Sequence, residues 1–328
     1  MLARTVENVY WLARYLERAE DTARVISVHT HLLLDLPATV APGWVPLIDI
    51  TGSRALFDER RGSGTPRAEE REVVFFLVAD EGNPGSILRS LTQVRENARA
   101  LRDVLPTEAW EEFNRFFLRF SEELSTGLVR RDRFEFLKRV VLISQTLTGM
   151  LEGTMSRGHA HTFMALGRDL ERADMTSRII DVRCAQLQAS EAEPSAFDTV
   201  QWRSVLHTLS GYEMYRLARR TRVERAGVLE FALRDAQFPR SCLACLRHVE
   251  LCLEELPRSG EVRDKLQEAR RFLGDADLVE IDPAALHLLI DHLQRHLTVV
   301  HEQISATYFP QRDALAPIGR PEPAGVAA

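Results

Sequence analysis

The chain has 328 residues, 45% of them hydrophobic, which is enough to bury a sizeable core in one large domain or two. A net charge of −6 and an isoelectric point near 6.0 leave no basic surplus, which argues against broad nucleic-acid or anionic-membrane binding. All cations but Lys138 and Lys265 are arginines.

The opening Met1-Leu2-Ala3-Arg4-Thr5 runs straight into amphipathic sequence, without the basic and apolar stretches of a secretion signal. No apolar run reaches the roughly 18 residues of a membrane span, so the expectation is a soluble, cytoplasmic protein. Apolar spacing of period 3.6 and helix start signals predict helices over 4–36, 44–56, 69–80, 84–104, 107–127 and 131–153. A second series is predicted over 159–190, 199–219, 221–234, 239–256, 259–274 and 283–308. Pro84 and Pro239 are placed in the first turns of their helices, where a missing N–H costs nothing. No segment alternates apolar and polar residues between turn signals, so strands are not expected. Residues 57–68, which include Arg61-Gly62-Ser63-Gly64-Thr65-Pro66, read as a flexible surface loop, and 310–328, rich in Pro, Ala and Gly, as a disordered tail.

The two series are related in sequence. Residues 12–26 (LARYLERAEDTARVI) and 166–180 (LGRDLERADMTSRII) are identical at nine of fifteen positions, at an offset of 154. Two further pairs follow in order. Trp44-x-x-Leu47-Ile48 to Gly52 answers to Trp202-x-x-Val205-Leu206 to Gly211, and Asp80-x-x-Asn83-Pro84-Gly85-Ser86 to Asp235-x-x-Phe238-Pro239-Arg240-Ser241. The expected fold is all-α, with two tandem repeats of about six helices each, residues 1–155 and 156–309, forming a pseudo-symmetric helical bundle, whether around one core or two.

On the first repeated helix Leu12, Leu16, Ala19, Ala23 and Ile26 form the core stripe, and small Ala19 and Ala173 permit a close neighbour. Glu17, Glu20 and Arg24 flank that stripe, with Arg14, Arg18 and Asp21 opposite it or on the other flank. The plain reading is intrahelical pairing of Arg14 with Glu17 and of Glu20 with Arg24, at about 0.2–0.5 kcal/mol each. That energy is too small to fix residue identities, yet Arg14/Arg168, Glu17/Glu171, Arg18/Arg172, Glu20/Asp174 and Arg24/Arg178 are kept between the halves. A buried network that sets helix register, or one that faces an anionic ligand, accounts for this better.

Metal ligation by this helix is not expected, because carboxylate di-iron bundles use Glu-x-x-His and no histidine follows Glu17 or Glu171 at that spacing. His292 and His296 have a chelating spacing but lack a metalloprotease glutamate, and the pairs His29/His31 and His159/His161 point apart on a helix. Cys184, Cys242, Cys245 and Cys252 read as buried small hydrophobes in a reducing compartment. The chain has no P-loop, G-x-G-x-x-G, G-x-S-x-G or H-E-x-x-H, and no cofactor is expected.

Tyr10-Trp11-Leu12-Ala13-Arg14-Tyr15-Leu16-Glu17-Arg18-Ala19-Glu20, Asn83-Pro84-Gly85-Ser86-Ile87, Arg95-Glu96-Asn97-Ala98-Arg99 and Phe238-Pro239-Arg240-Ser241, in this order, resemble the alpha-E domain family of bacterial proteins. The resemblance covers about residues 1–310. Genes of that family are typically found beside a circularly permuted ATP-grasp ligase, a transglutaminase-like peptidase and sometimes a proteasome-like protease. The resemblance therefore implies a helical accessory or co-catalytic subunit in peptide or amide-bond synthesis or processing, with the ligase and the peptidase as expected partners. It carries over Glu17, Arg18, Glu20 and Arg24 as signature positions, with Glu171, Arg172, Asp174 and Arg178 as their counterparts. The alternative is a stand-alone enzyme that uses Glu17 or Glu171 as general base, with arginines holding a small anionic or peptide substrate.

Overall fold

The repeated sequence lies on two long helices, α1 (Ala3–Asp35) and α8 (His159–Gln188), each about 45–50 Å long. Core residues such as Val9, Leu12, Leu16, Ala19, Val25 and Ile26 occur on several sides of α1, so this helix is sheathed by others and does not lie on a surface. The computed structural model describes residues 2–37, 39–61, 69–188, 196–278 and 281–310, and it is all-helical with no strand among them.

Between the two long helices lie α2 (Val45–Ile50), α3 (Arg54–Arg61), α4 (Glu70–Val78), α5 (Ile87–Ala100), α6 (Thr107–Gly127) and α7 (Arg133–Thr154). After α8 come α9 (Ala196–Thr208), α10 (Tyr212–Arg219), α11 (Arg225–Arg234), α12 (Cys242–Glu254), α13 (Gly260–Asp275) and α14 (Pro283–Tyr308). Helix α1 packs against α5 and α7 as α8 packs against α12 and α14. Each long helix also meets the helix that follows the other, α1 with α9 and α8 with α2. The closest association is that of α1 with α8, so the centre of the molecule is the crossing of the two repeated segments.

Fourteen helices stand among the described residues where twelve are predicted, because two expected helices are each broken in two. The predicted 44–56 splits at Gly52, whose φ of +66° ends α2, and the predicted 199–219 splits at Ser210, with φ of +53°. The left-handed positions therefore match Gly52 with Ser210, one residue before the Gly211 that the sequence suggests. Pro84 and Pro239 precede their helices instead of opening them. The N-caps are Ser86 and Ser241, whose hydroxyls accept from the N–H of Arg89 at 3.2 Å and of Ala244 at 3.0 Å. The repeated aspartates shape the preceding turns: Asp80 accepts from the Gly82 N–H at 2.9 Å, and Asp235 from those of Gln237 and Phe238 at 2.8 and 2.9 Å. Of the predicted 57–68 loop, residues 57–61 belong to α3 and 62–68 lie outside the described residues, as do 311–328 of the predicted tail.

The crossing depends on one missing side chain. A Cβ built on Gly167 of α8 would stand 2.3 Å from the carbonyl oxygen of Tyr10 on α1. The Cβ is fixed to the backbone of α8 and the oxygen belongs to the backbone of α1, so relief requires the helices to separate. Gly167→Ala should lower stability by about 1–3 kcal/mol despite its better helix propensity. The exposed Gly149 of α7, where a Cβ meets nothing within 4 Å, is the control, and Gly149→Ala should stabilise by up to about 1 kcal/mol. Urea denaturation of the two variants checks both signs.

Candidate functional site

At the α1–α8 crossing, each Glu-Arg pair binds its counterpart across the interface. Arg18 Nε donates to Glu171 at 2.6 Å, and Arg172 Nε donates to Glu17 at 2.6 Å. Arg14 Nε adds a second donor to Glu171 at 2.7 Å. Glu17 and Glu171 are 3% and 1% exposed, so these are buried ion pairs and not a solvated face. Burial opposes ionisation of Glu171, yet Arg18 and Arg14 outweigh it and hold its pKa near 2. Glu17 is likewise held low, with Arg172 and Arg240 overcoming burial.

The two sides are not alike. Arg240, in the turn before α12, reaches Glu17 at 2.8 Å, Glu20 at 2.9 Å and Asp21 at 2.7 Å. Arg24 closes the cluster by donating to Glu20 at 2.7 and 3.0 Å. In the first half the position of Arg240 is Gly85, and that of Asp21 in the second half is Met175. The extra carboxylate carries an electrostatic cost. Burial, together with the neighbouring Glu17 and Glu20, pushes the pKa of Asp21 up to about 7 against the pull of Arg240. Its Oδ2 is buried without a hydrogen-bond partner among the described residues.

Beside this cluster a small, part-open cleft of about 20 Å³, room for about one water, lies between α1, α7 and α8. Leu12, Leu16, Leu151 and Met164 give it apolar walls, and Glu17, Glu20, Glu152, His161 and Arg168 give it polar ones. Glu152 receives Arg168 at 3.2 Å and lies 3.1 Å from His161 Nε2, and it also pairs with Arg157. Burial opposes its charge, but these donors hold its pKa near 2. Arg168 continues to buried Asp169 at 3.3 Å, which bonds Nδ1 of the half-exposed His248. That hydrogen bond raises the pKa of His248. One chain of contacts thus links two imidazoles through two carboxylates and an arginine, from His161, Glu152 and Arg168 at the cleft to Asp169 and His248 outside its lining.

The matching place on the other side of the crossing is filled. The core register of α7 (Val140, Leu147, Leu151) aligns with that of α14 (Leu293, Val300, Ile304), which sets His301 where α7 has Thr148. Tyr10 stacks on His301 with ring centroids 5.6 Å apart, and Trp11 meets the same imidazole edge-on at 5.3 Å. Tyr10 and Trp11 answer to Met164 and Ala165, so larger side chains occupy the space that forms the cleft opposite.

The expected intrahelical pair of Arg14 with Glu17 is not made, because Arg14 reaches across to Glu171; that of Glu20 with Arg24 is present. Asp174 pairs with Arg178 on its own helix at 2.9 Å, and the Arg178 guanidinium lies against Gly52. Arg168 turns from the crossing toward the cleft. Arg240, Asp169, Glu152 and His248 are the participants the pattern of the repeated helix did not point to; Asp21, read as lying opposite the core stripe or on its other flank, is buried, and His161, read only as pointing away from His159, meets Glu152. Arg240 carried a readable signal, an arginine in place of glycine inside an otherwise kept turn. All four cysteines are free and buried, as their spacing suggests.

Two substitutions separate the halves of the network. Glu171→Gln leaves Arg14 and Arg18 without their counter-charge and should cost roughly 3 kcal/mol or more, read as a fall in unfolding free energy in urea. Asp21 behaves oppositely. Its folded pKa of about 7 lies above its ordinary 3.8, so its stabilising contribution is complete below the lower value and is lost as pH rises through the higher. Asp21→Asn mimics the protonated acid, so its melting temperature should gain on the wild type between about pH 5 and about pH 8. An unchanging difference across that range would show that Asp21 stays ionised.

The chain is 26% identical over 353 residues to uncharacterized proteins of Mycobacterium bovis and of two strains of Mycobacterium tuberculosis. The matched region covers 97% of this chain but 38% of each relative, so the chain spans well under half of their length. No solved structure matches it. Residues 1–309 match the Alpha-E family, described as a predicted alpha-helical domain with a conserved ER motif. Nearly the whole chain is covered by that match, and the protein belongs to the Alpha-E family.

Proposed function

We propose that this chain is a duplicated helical accessory module that acts beside an ATP-grasp ligase in peptide or amide-bond synthesis or processing, binding the ligase or its peptide-like substrate. On this reading residues 1–155 and 156–309 are the two copies, and the ER motif is Glu17-Arg18 with Glu171-Arg172. The observation that supports the accessory part of this reading is the reciprocal pairing of the buried Glu17 and Glu171 with those arginines. Carboxylates held by two guanidinium groups, with pKa values pushed down, organise a scaffold and are poor proton acceptors. The alternative in which Glu17 or Glu171 is the base of a stand-alone enzyme loses support for the same reason.

The ligase and a transglutaminase-like peptidase enter from the family resemblance. The relatives add an independent point, since in them the matching segment shares a polypeptide with further sequence of greater length. A module carried in that way works next to another protein unit, whether on the same chain or a separate one.

Co-purification of the tagged chain from its native host, followed by mass spectrometry, tests the proposal. An ATP-grasp ligase should be retained, and the purified ligase should turn over faster with this chain present. A ligase with full activity alone and no affinity for this protein would refute it.

A further inference from the structure

At the far end of α8 from the cleft, three side chains of two helices converge. Asp181 of α8 faces His287 and Asp291, one turn apart on α14, and one ligand-type atom from each lies within 4.8 Å of the others. His287 Nδ1 is 2.8 Å from Asp181 Oδ1, and Nε2 is 3.9 Å from Asp291 Oδ2. Two carboxylates thus share one imidazole, and the second contact is too long for a hydrogen bond. We propose that Asp181, His287 and Asp291 form a binding site for a first-row divalent cation.

Donor type and spacing support this. Metal–ligand bonds of about 2.0–2.2 Å place neighbouring ligands roughly 3 Å apart; the three ligand atoms lie within 4.8 Å of one another and only one nitrogen of His287 can serve a given ion, so a side-chain rotation on this accessible surface closes the site. Mixed nitrogen and oxygen donors suit zinc and its neighbours, and two carboxylates with a neutral imidazole balance the charge of a divalent ion. Binding through Nδ1 displaces the proton of the His287–Asp181 hydrogen bond: in the neutral ring it is replaced by a proton on Nε2, and from the imidazolium it leaves to solvent, so the bound ring is neutral in either case. His287 is 56% exposed, so water completes the coordination and the ion has an open path.

The packing does not demand these residues. Helix α1 packs on α7 as α8 packs on α14, but the corresponding positions there are Ser27, Phe134 and Lys138. The same helix pairing is therefore made without any of the three ligands. The spacing His287-x-x-x-Asp291 is the sequence trace of the site, and the neighbouring His292 and His296 are instead turned against the ring of Phe272.

Calorimetric titration of the full chain with zinc chloride tests the assignment. The wild type should bind one zinc ion, and His287→Ala, Asp181→Asn and Asp291→Asn should each weaken binding at least about tenfold while circular dichroism shows the helices intact. The proposal is overturned if the wild type takes up no zinc, or if His287→Ala binds as tightly as the wild type, which would place the ion on other histidines.

Discussion

Two buried carboxylates and the part-buried guanidinium groups that hold them, placed reciprocally across the α1–α8 crossing, are the constraint on which the rest of the molecule depends. Bringing Glu17, Arg18, Glu171 and Arg172 out of water is costly, and the cost is offset only in the register where Arg18 meets Glu171 and Arg172 meets Glu17. A slip of one helical turn would leave carboxylates and guanidinium groups buried without partners. The apolar stripe of α1 brings the helices together but repeats along its length, so it does not choose among registers. The ion pairs do, and Gly167 sets how near the backbones come.

With that crossing fixed, α5 and α7 pack on α1 as α12 and α14 pack on α8, and what differs between the two sides becomes informative. Tyr10, Trp11 and His301 fill one flank with rings, whereas Met164, Ala165 and Thr148 leave the other open. Arg240 adds a cation on the open side, and Asp21 answers it with a carboxylate too crowded to ionise as readily as a free one. The side with the cleft is also the side where Glu152, Arg168 and Asp169 connect His161 to His248. The polar chemistry of the molecule is concentrated there.

Much of this was legible in the sequence. The 154-residue offset marks the two central helices, and the arginines and carboxylates kept between them are those that meet in the core. Helix breaks at Gly52 and Ser210 were harder to read, since apolar periodicity continues across each of them. The partner of Arg14 was assigned wrongly because spacing within a helix reports only neighbours on that helix. Contacts such as Arg240 with Asp21, or His248 with Asp169, join residues 219 and 79 positions apart, and no local pattern encodes them. The Asp181, His287 and Asp291 cluster is of the same kind: half of it is a visible one-turn spacing, and the other half arrives through packing.

The glycine at position 85 and the arginine at 240 have a consequence for how such a molecule can change. In an assembly of two identical chains every substitution appears on both sides of the shared interface, so an arginine that suits one side is imposed on the other. Here both sides are written separately in one chain. A single codon change can charge one flank and spare its twin, so the two flanks of the Glu-Arg crossing are free to diverge while the ion pairs between them stay in place.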